Sequence, residues 1–82
     1  MTKEAIRTKL INYLEETFPL FDPDMPDETP ITEHGVDSLG TTNIVVFLEE
    51  EFNVEIDDEE ITRTNLGSIM ALVDFITRKM AV

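Results

Sequence analysis

Ser38 is preceded by Asp37 and, four residues upstream, by the chain's one histidine, His34. A hydroxyl, an imidazole and a carboxylate are the parts of nucleophilic acyl transfer, in which the imidazole takes the serine proton. Their spacing speaks against that use. Gly35 puts a turn between His34 and Ser38, no glycine elbow frames the serine, and no second histidine is available. Asp37 and Ser38 are both residue types that cap a helix N-terminus, so no catalytic residue is assigned. A second constellation is acidic. With Asp22 as first position of a calcium loop, Asp24 falls third and Glu33 twelfth. Pro26 then falls fifth, Asp27 takes the sixth position that needs glycine, and Pro30 falls ninth. The pattern fails, and no metal site is assigned. There is no cysteine, which removes thiol catalysis, thiolate zinc sites and disulfides together.

The elements that would position Ser38 follow from periodicity. Ile6, Leu10, Tyr13, Leu14 and Phe18 mark an amphipathic helix near residues 2–18, capped by Thr2 and ended by Pro19. Residues 19–36 form a long connection holding all four prolines, with Leu20, Phe21, Met25 and Ile31 available to cover a core. Gly35 marks the turn before a second helix over 38–52. On a wheel of about 100° per residue, Thr41, Ile44, Val45, Leu48 and Phe52 share its inner stripe. Leu39, Asn43, Val46 and Glu50 point outward, with Thr42, Phe47 and Glu49 on the flanks. Asn53 suits the stop. A single turn is predicted at 58–61, and a last helix at 68–80 with Ile69, Leu72, Val73, Ile76 and Met80 inward. The fold class is therefore all-α: a four-helix bundle of three longer helices and one short one, in a single domain over 1–82.

Charge narrows the function classes. Six Lys and Arg oppose 18 Asp and Glu, for a net charge of −12. No base lies between Ile11 and Thr62, a stretch that holds 16 of the 18 acids. Such a surface repels phosphate backbones and anionic headgroups and attracts basic protein patches. Nucleic acid is excluded as a partner. No run approaches the roughly 18 apolar residues of a membrane span, and Met1–Ala5 does not open a signal peptide. A cytoplasmic monomer is expected.

Asp37-Ser38-Leu39 at a helix start, followed by Val45, Leu48-Glu49-Glu50-Glu51-Phe52 and Ile56-Asp57-Asp58-Glu59-Glu60, resembles the acyl carrier proteins. Ile69 and Val73-Asp74-Phe75-Ile76 extend the likeness to nearly the whole chain. The resemblance implies that a phosphopantetheinyl transferase moves 4′-phosphopantetheine from coenzyme A onto Ser38, between Asp37 and Leu39, to carry acyl groups as thioesters. It also implies docking of basic enzyme patches on Asp37, Leu39, Val46, Glu49 and Glu50, with Ile56 after the helix; Asn43 joins them on the outward face. A chain without cysteine would gain its thiol this way. An anion at Ser38 would sit by the free N–H groups of a helix N-terminus.

The chain departs from the family pattern beside the serine. Gly40 stands where relatives commonly carry an acid, Asn43 where Glu is usual, and Thr42 where an aliphatic is common. Two fewer carboxylates weaken the match to ordinary fatty-acid enzymes, and the Thr64–Ile69 segment resembles stand-alone carriers of specialised pathways. A dedicated carrier of an unusual acyl, hydroxyacyl or aminoacyl unit is the expectation. The rival reading is an acidic interaction adaptor with no prosthetic group.

Overall fold

The computed structural model describes residues 1–37 and 40–81. Helix α1, Lys3–Thr17, starts where the Thr2 hydroxyl accepts the Ala5 N–H at 3.1 Å. Its stripe of Ile6, Leu10 and Leu14 is buried, joined by Ile11, while Tyr13 and Phe18 reach only the margin of the core. Helix α2, Gly40–Phe52, buries Ile44, Val45, Leu48 and Phe52. It stops at Asn53, whose φ of 53° is the left-handed geometry asparagine tolerates.

The segment after α2 differs from the sequence expectation. Residues Asp58–Glu60 form a 3₁₀ turn rather than an α-turn, held by the Glu60 carboxylate accepting the Asp57 N–H at 3.0 Å. The short α-helix lies further on, as α3, Arg63–Leu66. Thr62 explains the shift, because its hydroxyl accepts the Asn65 N–H at 3.2 Å and starts a new turn there. Ser68 repeats the device for α4, Ile69–Met80, accepting the Ala71 N–H at 3.1 Å. Helix α4 packs against α1, α2 and α3. Its buried arc therefore widens to include Phe75, which the wheel left out. Met80 was expected inward but is 40% exposed, since the last turn of α4 runs past the core that ends at Ile76.

The proline-bearing connection is tied down at several points. Phe21 and Ile31 are buried and Met25 half-buried, whereas Leu20, expected to help cover the core, is 81% exposed. Arg7 of α1 grips Asp27 through two bonds of 2.8 and 2.9 Å. The Met70 N–H donates to the Asp27 carbonyl, and the Ile31 N–H to the Gly67 carbonyl. Residues Ile31–His34 make a 3₁₀ turn. Gly35 follows at φ +94°, where an added Cβ would lie 2.1 Å from the Leu20 carbonyl oxygen. Only glycine fits there. The connection thus reaches Asp37 along a fixed path.

Candidate functional site

Ser38, the expected attachment point, and its neighbour Leu39 lie outside the described residues, but both flanks are fixed. Val36 is buried at 1% exposure. Asp37 is exposed, and its carboxylate and its carbonyl both accept the Gly40 N–H, at 2.9 and 3.1 Å. Gly40 is buried in the first turn of α2. A Cβ there would stand 2.5 Å from Phe18 Cε1, 2.7 Å from Cζ and 3.3 Å from Val36 Cγ1. The Phe18 ring therefore closes over the start of α2 only because residue 40 has no side chain. Phe18 meets Tyr13 edge-on, and Tyr13 stacks on Phe47 at 3.9 Å, so an aromatic row braces α1 against α2.

His34 is fully buried. Its Nδ1–H donates to the Asp22 carbonyl at 2.9 Å, and the Asp22 N–H returns a bond of 2.8 Å to the His34 carbonyl. The ring stacks on Phe21 at 5.5 Å. Nε2 has no partner among the described residues. His34 thus works as a clip that closes the connection just ahead of Asp37. Asp22 and Asp24, read above as possible calcium ligands, form a local turn in which the Asp22 carboxylate accepts the Asp24 N–H. Among the described residues no three acidic or imidazole groups are placed to hold a metal.

The outer face of α2 carries three of the expected docking residues. Asn43 and Glu50 are exposed, and Val46 is 46% exposed between them. Glu49 is half-buried, because its carboxylate accepts the Ile56 N–H at 3.0 Å and fixes the chain beyond the helix. Ile56 itself is 8% exposed and its side chain serves the core. The perturbed carboxylates lie elsewhere. The bond from Arg7 holds Asp27 below the usual aspartate range, and Glu60 is held down by the Asp57 N–H and then by Lys79. Both are braces.

Beside the start of α2 an open groove of about 570 Å³ runs between the connection and α3. Buried Ile31 and Leu66 and half-buried Thr41 line it together with exposed Ile61, Thr62 and Arg63. Sequence periodicity missed Arg63, because a four-residue helix has no period to read. The one usable signal was Thr62 as a cap.

Comparison with known proteins places these features. Residues 8–76 match the family profile described as the phosphopantetheine attachment site. The chain is 42% identical over 53 residues to an acyl carrier protein of Buchnera aphidicola subsp. Acyrthosiphon pisum (strain Tuc7), a match covering 65% of this chain and 64% of that protein. It is 29% identical over 80 residues to an acyl carrier protein of Chlorobium luteolum, covering 96% of this chain and all of the relative. The crystal structure of an acyl carrier protein from Thermotoga maritima superposes with a TM-score of 0.80 at 25% identity, over 96% of this chain and 91% of that one.

Membership of this family implies a covalently attached 4′-phosphopantetheine. The residues present fit such a group. Thr41, in the first turn of α2, and Thr62 carry hydroxyls and line a groove where an arm of two amides and one hydroxyl can lie. No helix among the described residues is long and apolar enough to cross a membrane. The family profile spanning most of the sequence, together with the shared fold, identifies the chain as a member of the acyl carrier proteins.

Proposed function

We propose that Ser38 is the attachment residue and that the whole chain, as one monomeric domain, delivers acyl units to partner enzymes. The observation that carries this reading is Asp37-Ser38-Leu39 directly ahead of α2, inside the family match. In the attachment step a bond forms between Ser38 Oγ and phosphorus, the bond to adenosine 3′,5′-bisphosphate breaks, and the serine proton passes to a base of the transferase. Mg²⁺ and that base belong to the transferase, so Ser38 needs none of its own. The bound arm supplies the thiol that this chain lacks, for carrying acyl groups as thioesters. On either side of Ser38 and Leu39 in the chain, Asp37 and Gly40 are joined by the bond from the Gly40 N–H to the Asp37 carboxylate.

The outer face of α2 is the proposed docking surface. Val46 gives an apolar contact, and Asn43, Glu50 and Asp37 surround it with polar and acidic groups that steer a basic patch. Leu39 belongs to the same set, while Glu49 and Ile56 shape the end of the surface from beneath. Gly40, Thr42 and Asn43 lower the charge next to Ser38, which favours a dedicated pathway over general fatty-acid synthesis. Incubation with coenzyme A, Mg²⁺ and a broad-specificity phosphopantetheinyl transferase tests the reading. One phosphopantetheinyl mass increment is expected, absent in Ser38→Ala. An increment that survives in Ser38→Ala, or none in the natural chain, overturns it.

A further inference from the structure

Five of the six basic side chains have a side-chain partner. Lys3 pairs with Asp74, Arg7 with Asp27, Lys9 with Glu51 and Lys79 with Glu60, while Arg78 donates to Asn65 Oδ1. Arg63 alone has none among the described residues, although 18 carboxylates were available to the fold. It is exposed as the first residue of α3, a helix of one turn. Its place in the molecule is the groove beside α2, of which it is the one cationic wall residue among the described residues.

The rest of the lining suits a small polar guest. Four hydroxyl-bearing residues line the space, Thr32, Thr41, Thr62 and Ser68. The hydroxyls of Thr62 and Ser68 each accept a helix-capping N–H, which occupies a lone pair and leaves the hydroxyl hydrogen free to donate. Ile31 and Leu66 give a short apolar floor. A guanidinium without an internal partner, amid donors, is a receptor for an oxygen anion. Resting on the reading of Ser38 as the arm's anchor, we propose that Arg63 binds a carboxylate at the free end of the carried acyl unit. The cargo is then a short dicarboxylic acid, joined through one carboxyl as the thioester and held through the other by Arg63. Glu28 lines the same groove and repels any anion that Arg63 does not pair.

The test loads the full chain, through a broad-specificity transferase, with glutaryl-, glutaramyl- (its neutral primary amide) or 5-aminopentanoyl-phosphopantetheine, each verified by mass. The Arg63 Nε–Hε resonance and the backbone amides of Thr32 and Thr62 are then compared by nuclear magnetic resonance. The proposal expects these signals to move in the glutaryl form, and less than half as far in the other two. The difference should vanish in Arg63→Gln, persist in part in Arg63→Lys, and shrink in high salt. Equal movement in all three forms points to the arm or its phosphate and overturns the proposal. Movement confined to the 5-aminopentanoyl form assigns the groove to Glu28 and overturns it too, as do signals that stay still or a glutaryl effect that survives in Arg63→Gln. Failure to load, or loading that persists in Ser38→Ala, instead strikes at the reading of Ser38.

Discussion

At position 40 nothing larger than hydrogen fits under the Phe18 ring. Read alone, a glycine in the first turn of a helix costs about 0.5–1 kcal/mol relative to alanine. The structure shows what offsets that cost: the ring covers the start of α2 beside Asp37. Gly40→Ala gains helix propensity and loses packing, so a net loss of about 1–2 kcal/mol is expected from urea unfolding. In a Phe18→Ala background the same substitution should cost less or become favourable, and an equal cost in both backgrounds would contradict the contact. Asp27 offers a second test. Its acidity is raised in the folded chain by the hydrogen bond from Arg7, so its contribution is complete above its unfolded value of about 3.9 and fades as the pH falls through the lower folded one. With both partners partly solvated, the contribution is at most about 1 kcal/mol. Asp27→Asn should therefore lower stability at pH 7 and flatten the acid limb of a stability–pH curve.

Among the elements, the long connection decides where Asp37 stands, just ahead of α2. Its path depends on Gly35, whose φ of +94° and close approach to the Leu20 carbonyl admit no side chain. Gly35→Ala should destabilise the chain by about 2 kcal/mol or more, since strain and overlap add. A loss below 0.5 kcal/mol, on the order of an ordinary surface change, would show that the connection is not under that constraint. Much of this level was legible beforehand. Apolar spacing marked α1, α2 and α4, and Thr2 and Asn53 marked ends through capping chemistry that is local. What stayed hidden was nonlocal. Leu20 and Phe21 look alike as apolar loop residues, yet the fold buries one and exposes the other. Met80 continued the stripe of α4 past the point where neighbouring helices end. At the site, Asn43, Val46 and Glu50 were placed by the wheel, whereas the burial of Ile56 and the bond from its N–H to Glu49 needed the chain's return after α2.

Across the whole molecule, charge sets both stability and association. Among the described residues four ion pairs use only four of the 18 acids, so repulsion among the rest outweighs the pairs that salt would also screen. Added NaCl or Mg²⁺ should raise the melting temperature by several degrees, measured by circular dichroism; an unchanged or lower value would contradict this balance. The same acidity should make association with basic partner enzymes fall in rate as salt rises. The central claim, however, is about one oxygen atom. Cleavage after glutamate releases residues 34–49, in which Ser38 is the one serine. In protein made together with an active phosphopantetheinyl transferase, fragment ions of that peptide should place the added phosphopantetheine between Asp37 and Leu39. An unmodified peptide, or a modification on Thr41 or Thr42, would contradict the account.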